Sequence, residues 1–282
     1  MNEFTWIFIA ALALMTGVEL WLSLRQSRYV HAHRDDVPEA FKQQVELSAH
    51  QKAAKYTVAK GKINRIESIF GMVLLLIWTL GGGLALLSDS WLSLGWSEMT
   101  TGIVFILSFF MIGTLIDLPL SWYKTFVLED SFGFNNNTPG LFLSDMAKQT
   151  LLMLIIGAPL IWGALALMNN TGEYWWLYLW AAWMGFALIM MWAYPAFIAP
   201  LFNKFTPLED EQLKARVEAL LARCGFKSQG IYVMDGSRRS GHGNAYFTGL
   251  GNNKRIVFFD TLLKTLDEDQ IEAVLAHELG HF

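Results

Sequence analysis

Residues 267–281 read DEDQIEAVLAHELGH, and this stretch decides how the C-terminal part of the chain folds. Asp267 has the side chain of a helix N-cap residue, and Gln270 three positions later completes a capping-box pattern. The apolar residues that follow predict a helix that continues through both histidines of the stretch. Because residues four apart share one helix face, His277 and His281 are predicted to direct their imidazoles at one metal ion.

The metal that suits this pair is zinc, which binds neutral imidazole nitrogens at about 2.0–2.1 Å. Glu278 adjoins the first predicted ligand, where its carboxylate can hold a water molecule beside the metal. Zinc lowers the pKa of such a water to about 7, and a carboxylate can take the proton during attack on a peptide carbonyl. The motif therefore predicts a zinc peptidase with His277 and His281 as ligands and Glu278 as general base. A chance match on an ordinary helix is the alternative.

The composition of the chain is unusual for a soluble protein. Of its 282 residues, 54% are apolar and only 16% are charged, whereas soluble domains carry about a quarter charged residues. The formal net charge of −4 gives no basic surface for nucleic acid, so no nucleic-acid partner is expected. Cys224 is the sole cysteine, which excludes an internal disulfide and a cysteine metal cluster.

Five apolar runs are long enough to cross a bilayer as helices, because about 20 helical residues span a hydrocarbon core of ~30 Å. Buried helices of a large soluble protein are the alternative. The runs predict a polytopic membrane domain over residues 1–200 with about five spans. They are Phe4–Leu24, Ile69–Leu87, Thr101–Tyr123, Leu151–Met168 and Tyr174–Phe197.

Basic residues alternate between the loops that join these runs. The loop after the first run is strongly basic, whereas residues 88–100 and 169–173 contain no Lys or Arg. The loop after the third run contains Lys124 and Lys148. Positive loops favour the cytoplasmic side, so the N-terminus is predicted outside and everything after the fifth run in the cytoplasm. The basic residues of the first loop are Arg25, Arg28, Arg34, Lys42, Lys52, Lys55, Lys60, Lys62 and Arg65.

The pattern changes after the last apolar run, and residues 201–282 predict the beginning of an α+β domain. An amphipathic helix is predicted over Leu208–Cys224, with Gly225 as its stop. Ile231–Met234 is a predicted strand, and Asn244–Leu250 with Lys254–Asp260 form a predicted hairpin. The apolar face of the amphipathic helix consists of Leu213, Val217, Leu220 and Leu221.

On these residues the chain resembles the integral-membrane CAAX prenyl endopeptidases of type I, zinc proteases that trim prenylated C-termini in eukaryotes and have bacterial relatives. Apart from the histidine motif, the Asn-Ala-Tyr-Phe run at 244–247 is the most diagnostic feature. The resemblance covers nearly the whole chain. It rests on Lys124–Asp145, Gly236–Phe247, Lys254–Leu263 and the 277–281 motif.

The resemblance implies a mostly α fold: a polytopic membrane helical bundle with the start of a gluzincin-type α+β metallopeptidase domain. It also implies that substrate lies as an added strand along the hairpin edge, so that Asn244, Ala245, Tyr246 and Phe247 are substrate-binding residues. Asn244 would hold the substrate backbone. An ordinary residue at the start of a strand is the alternative for Asn244.

The loop after the third apolar run, Lys124–Asn137, interleaves aromatic side chains with carboxylates. Its aromatics are too many for a free polar loop, and the alternation of basic loops makes it cytoplasmic. We therefore expect this loop to contact the catalytic domain. An interfacial loop with aromatic anchors is the alternative.

The family resemblance also implies a third zinc ligand, a Glu from a later helix beyond Phe282. One zinc ion per chain is expected in the full-length enzyme. Since a catalytic zinc site in this class has three protein ligands and a water, residues 1–282 alone are expected to bind zinc weakly and to be inactive.

The expected partners are the lipid bilayer and a peptide or protein C-terminal substrate, prenylated or not. The expected location is an integral, multi-pass membrane protein with its catalytic domain on the cytoplasmic side. This is the inner membrane in a bacterium and the endoplasmic reticulum in a eukaryote.

Two other functions stay open at this point. One is a membrane quality-control metalloprotease of the heat-shock type, and the other is a non-catalytic membrane scaffold fragment. The five spans and the Asn-Ala-Tyr-Phe run favour the CAAX-type function.

Overall fold

The computed structural model describes residues 2–226, 228, 230–248 and 254–280. Its internal contacts divide the chain into two units, Met1–Phe132 and Gly133–Phe282. This division differs from the predicted domain boundary near residue 200, which stays a prediction.

The first unit is helical. Helix α1 begins after Asn2, whose Oδ1 accepts a hydrogen bond of 2.9 Å from the Thr5 backbone N–H. Helices α1 and α2 pack against each other. Helix α4 continues into a π-helical segment over Lys124–Glu129, so this part of the predicted third loop is helical instead. The helices are α1 (Glu3–Ala32), α2 (Leu47–Thr79), α3 (Gly83–Leu92) and α4 (Glu98–Tyr123).

The second predicted span, Ile69–Leu87, is bent, because the helix breaks at three consecutive glycines. Gly82 has φ +80°, a left-handed conformation that favours glycine, and α2 and α3 meet at a bend of 48°. A Cβ atom added at Gly81 would lie 2.8 Å from the Ile77 carbonyl oxygen. The glycines therefore provide the turn that ends one helix and begins the next.

The second unit begins with further long helices. Thr138 caps the first of them, and Pro139 occupies its first turn, where a missing N–H costs nothing. π-helical segments at Met153–Gly157 and Tyr194–Ile198 continue the helices on either side. The helices are α5 (Pro139–Leu152), α6 (Ala158–Asn170), α7 (Trp175–Ala193) and α8 (Ala199–Phe202).

The helical stretches have the length and composition of membrane spans. Within the described residues, four of them pass this test, and the bent α2–α3 pair makes a fifth if it crosses once. Large apolar side chains such as Trp176, Trp180 and Trp183 are exposed, as expected for a lipid-facing helix. The four stretches are Glu3–Ala32, Glu98–Glu129, Pro139–Asn170 and Gly172–Phe202.

A small mixed sheet follows the last of these helices. The described strands have the order β1-β2-β4-β3, in which β2 and β4 are parallel and the other pairs are antiparallel. The predicted strand and hairpin are confirmed, although the turn of the hairpin lies outside the described residues. Strand β1 was not predicted. The strands are β1 (Phe205–Pro207), β2 (Gly230–Met234), β3 (Ala245–Thr248) and β4 (Arg255–Phe259).

Three helices complete the α+β part: α9 (Glu211–Arg223), α10 (Asp260–Thr265) and α11 (Glu268–Leu279). The predicted apolar face of α9 is confirmed, since all four of its residues are buried in the core. Gly225 ends this helix region with φ +65°, as predicted. The centre of the core contains fully buried side chains of β4 and α11: Ile256, Phe258 and Leu275.

Candidate active site

Helix α11, which carries the motif, starts as the sequence predicts. The Asp267 carboxylate accepts a hydrogen bond of 2.9 Å from the Gln270 N–H, and the Gln270 side-chain oxygen accepts one of 3.1 Å from the Asp267 N–H. Leu275 is fully buried, which fixes the rotation of the helix about its axis. His277 is consequently exposed and Glu278 is half-buried, whereas the predicted second ligand, His281, lies outside the described residues.

An arginine of the neighbouring helix holds α11 in place. The Arg216 guanidinium donates hydrogen bonds of 2.8 and 3.2 Å to Glu272, 3.2 Å to Glu268 and 2.5 Å to Asp269. The hydrogen bonds from Arg216 hold the pKa of Glu272 below its ordinary value, against the opposing effect of burial. Hydrogen bonds to Asp269, Glu272 and Glu268 raise the pKa of Arg216 in turn. Sequence reasoning missed this contact, because no local pattern pairs residues about 50 positions apart.

Strand β3, which carries the predicted substrate-binding residues, is an edge strand of the described sheet. The Phe259 N–H donates a hydrogen bond of 2.9 Å to the Asn244 carbonyl oxygen. In an antiparallel pair, alternate residues bond to the partner strand, so the backbone groups of Tyr246 also face β4. Those of Ala245 and Phe247 therefore point away from the sheet. Such an edge can accept an added strand.

Asn244 lies at the start of this edge and is exposed. Its Oδ1 accepts a hydrogen bond of 2.9 Å from the Ala245 N–H. Asn244 thereby satisfies the first outward-pointing donor of β3. The carbonyl oxygens of Ala245 and Phe247 and the Phe247 N–H point to the side of β3 on which an added strand would lie.

The side chains of β3 alternate between two environments. Ala245 is buried in the core, and Phe247 packs edge-on against Phe226 with ring centroids 5.0 Å apart. Tyr246 lines a cavity of about 110 Å³ on the opposite sheet face, together with Tyr194. Burial, and after it the neighbouring Tyr194, raises the pKa of the Tyr246 hydroxyl above its ordinary value. Because these side chains already contact other parts of the protein, we expect the backbone of β3, more than its side chains, to bind substrate.

The segment Gly133–Asn137, which closes the predicted third loop, contacts the loop that leads into β3. The Gly241 N–H donates to the Phe134 carbonyl oxygen at 2.9 Å, and the Asn136 side chain donates to the Ser237 carbonyl oxygen at 2.9 Å. The Phe134 and His242 rings stack with centroids 4.3 Å apart. The predicted contact between this loop and the α+β part is thus confirmed for Gly133–Asn137.

The other side of the same loop is attached to α10. The Ser237 N–H donates to the Asp260 carboxylate at 2.8 Å, and the Ser237 hydroxyl donates to its second oxygen. Burial raises the pKa of Asp260, but the hydrogen bonds from Ser237 and the nearby Lys264 outweigh it and leave the pKa below its ordinary value. The Thr261 hydroxyl donates to the His242 carbonyl oxygen at 2.8 Å. The approach to β3 is therefore fixed on two sides.

The donors at the end of α11 fit zinc in chemical type. His277 offers an exposed imidazole and Glu278 a carboxylate beside it. Among residues 2–226, 228, 230–248 and 254–280, no three His, Cys, Asp or Glu side chains lie close enough together to hold a metal ion. A complete site would need His281 and a further donor in addition to these.

Two family models match the chain. The one described as "CAAX prenyl protease N-terminal, five membrane helices" matches residues 26–204, and the one for peptidase family M48 matches residues 207–282. The first match and the apolar helices together identify an integral membrane protein.

Relatives in several eukaryotes align with nearly all of the chain. It is 35% identical over 280 residues to a CAAX prenyl protease 1 homolog of Oryza sativa, covering 95% of this chain and 65% of the relative. It is 31% identical over 329 residues to the CAAX prenyl protease 1 homolog of Homo sapiens, covering 98% and 68%. The chain thus spans about two thirds of the length of these relatives.

A solved structure has the same fold. The crystal structure of S. mikatae Ste24p matches with a TM-score of 0.91 and 35% sequence identity, covering 100% of this chain and 67% of that one. The likeness confirms the mostly helical fold with its small sheet. Both parts of the chain, the membrane helices and the helix that carries the histidine motif, therefore belong to the CAAX prenyl protease family of M48 peptidases.

Proposed function

We propose that the full-length protein is a zinc metalloendopeptidase that hydrolyses a peptide bound as an added strand along β3. The observation that carries this proposal is the packing of α11, with His277 and Glu278, against β3, an edge strand of the described sheet. A scissile bond in a strand on that edge would pass close to the end of α11. The family membership supports the same reaction.

In this proposal His277 and His281 hold one zinc ion, and a glutamate outside residues 1–282 is the third protein ligand. Bound zinc would lower the pKa of a water molecule and polarise the scissile carbonyl. Glu278 takes a proton from the attacking water as its oxygen bonds to the carbonyl carbon. Glu278 then gives this proton to the departing amine nitrogen as the C–N bond breaks.

The substrate is proposed to be the C-terminal part of a protein or peptide, in prenylated form. The names of the relatives, CAAX prenyl protease 1 and its homologs, support this choice. The catalytic side is proposed to be cytoplasmic, which the basic residues between the first two spans support. The membrane would be the inner membrane of a bacterium or the endoplasmic reticulum of a eukaryote.

The test is Glu278→Gln in the full-length protein, with zinc content and peptide cleavage measured in the same preparation. Zinc should stay bound and cleavage should fall by about 10²–10⁴-fold, the usual contribution of a general base. Glu218→Gln, which removes an exposed carboxylate of α9, is the matched control and should cleave normally. Cleavage retained in Glu278→Gln would refute the assignment of the base.

A second comparison tests the substrate class. Two peptides of the same sequence, one farnesylated and one not, are given to the wild-type protein. A clear preference for the farnesylated peptide supports the proposed substrate. Equal cleavage of both would favour the quality-control function instead.

A further inference from the structure

Helices α1 and α2 form a cleft of about 280 Å³ near their polar ends. We call it the basic cleft, because five of the eight residues that line it are basic. Its floor is apolar and consists of Ala54, Val58 and Ala59 of α2. The basic residues that line it are His31, Arg34, Lys55, Lys62 and Arg65.

The arrangement of these residues follows from helix geometry. Lys55, Lys62 and Arg65 are spaced by seven and three positions, so they lie along one face of α2. His31 belongs to the last turn of α1, and Arg34 lies two residues after the end of that helix. Four residues with permanent cationic groups thus line one cleft, and none of the described residues that line it is acidic.

Their charges are only partly compensated within the protein. Arg65 Nη1 donates to the Ser23 and Ser27 hydroxyls at 3.0 and 2.9 Å, which positions the guanidinium without neutralising it. Arg34 forms an ion pair of 3.2 Å with Asp35, and both of these side chains are exposed. In the part of the chain that the structure describes, Lys55 and Lys62 form no hydrogen bond or ion pair. The cleft therefore has a positive charge that an anionic ligand can balance.

The position of the cleft along α1 corresponds to the level of lipid headgroups. The apolar run of α1 ends at Leu24, and His31 lies seven residues further, roughly 10 Å along the helix. Between them, Arg25 lies over the exposed Trp21 ring at 5.7 Å from its centroid. An exposed tryptophan beside a cation is typical of the boundary between hydrocarbon and headgroups.

We propose that the basic cleft binds the phosphate group of an anionic phospholipid. The cations of the cleft would surround the phosphate, while the apolar floor contacts the glycerol and the first acyl carbons. Basic pockets between membrane helices bind phosphorylated headgroups in this manner. A soluble phosphate has the same anionic group but no apolar part to contact Ala54, Val58 and Ala59.

The test uses the purified protein in a neutral detergent, titrated with fluorescent phosphatidic acid. The variant is the pair Lys55→Gln with Lys62→Gln, which removes two cations from the cleft. Each lysine near an anionic headgroup contributes about fivefold in affinity, so the double variant should bind about 25-fold more weakly. The matched control is Lys52→Gln with Lys60→Gln, which removes the same charge from α2 at positions that do not line the cleft.

The outcomes separate the proposal from its competitors. Weak binding in the cleft variant with unchanged binding in the control supports the basic cleft. Equal losses in both variants would mean that the whole basic surface attracts the lipid, and would overturn the proposal. Inorganic phosphate that displaces the lipid at an equal concentration would assign the site to a soluble anion instead. If the double variant fails to fold, Lys55→Gln alone, with its expected fivefold loss, serves as the readout.

Discussion

Arg239 and Asp145 form a two-pronged ion pair: Nε lies 2.7 Å from Oδ2, and Nη2 lies 3.0 Å from Oδ1. The same guanidinium donates to the Asn203 side-chain oxygen at 2.7 Å and to the Phe202 carbonyl oxygen at 2.6 Å. One side chain therefore connects α5, the end of α8 and the loop that leads into β3. Since planar, bidentate pairing is specific to arginine, lysine is a poor replacement at position 239.

Asp145→Ala should destabilise the protein by about 3 kcal/mol, because it leaves the Arg239 charge largely buried without its carboxylate. Thermal unfolding in detergent measures the loss. Arg238→Ala is the matched control, since Arg238 is exposed and its side chain forms no hydrogen bond or ion pair with the described residues. The control should change the free energy of unfolding by less than about 0.5 kcal/mol. Similar losses in both variants would show that the ion pair contributes nothing specific.

Backbone hydrogen bonds of the substrate should contribute to binding at every second residue. Within the described part of β3, Ala245 and Phe247 direct backbone groups away from the sheet, so alternate residues of an added strand are expected to bond to it. N-methyl groups placed one at a time along a substrate peptide should raise KM at alternate positions by about fivefold or more, the value of one lost hydrogen bond. A uniform effect, or none, would contradict strand addition at this edge.

Two substitutions of Asn244 separate its two proposed roles. Asn244→Asp keeps an oxygen that can accept from the Ala245 N–H, but it removes the amide donor that would bind the substrate backbone. Asn244→Ala removes both. If Asn244 binds substrate, KM should rise by a similar factor in both variants while the melting temperature changes little. Normal kinetics in Asn244→Asp would instead limit Asn244 to the ordering of β3.

The ion pair between Arg216 of α9 and Glu272 of α11 should weaken in acid. Because hydrogen bonds from Arg216 hold the pKa of Glu272 below its ordinary value, the folded state favours the carboxylate. Glu272 therefore stabilises the fold above its ordinary pKa of 4.5, and this contribution is lost as the pH falls through the lowered folded-state value.

The corresponding measurement is thermal unfolding of the wild type and of Glu272→Gln between neutral and acidic pH. The two melting temperatures should differ at pH 7 and converge as the pH falls through the lowered folded-state pKa of Glu272. Glu218→Gln, on the exposed side of α9, should follow the wild type throughout. A wild-type advantage that persists in acid would show that Glu272 acts through packing instead of charge.

The sequence predicts well those elements whose signals are local. The capping pair Asp267 and Gln270 starts α11 where expected, and the apolar period of α9 identifies the residues that the core buries. The positive φ of Gly225 was likewise predictable from its position after a helix. Each of these features depends on residues within a few positions of one another.

Most features that sequence reasoning missed depend on residues that are far apart in the sequence. Strand β1 has three residues, one of them Pro207, and it exists because it pairs with β2. The contact of Arg216 with α11 joins two helices that are far apart in the sequence, because the strands β2, β3 and β4 lie between them. The helix break at Gly82 lies in a run of three glycines, but the apolar residues on both sides of that run made the segment read as one span.

The strand order β1-β2-β4-β3 has a consequence for the order of events during synthesis. When the ribosome has produced Met234, strand β2 can pair only with the three residues of β1, and a two-stranded ribbon of this size is marginally stable. The other edge of β2 and the apolar face of α9 are covered only after β4 has emerged at Phe259. For about 25 residues of elongation, the nascent chain therefore presents an unpaired strand beside a membrane whose helices are already translated. This interval is when the chain most needs a chaperone, or the membrane surface, to prevent pairing with the wrong strand.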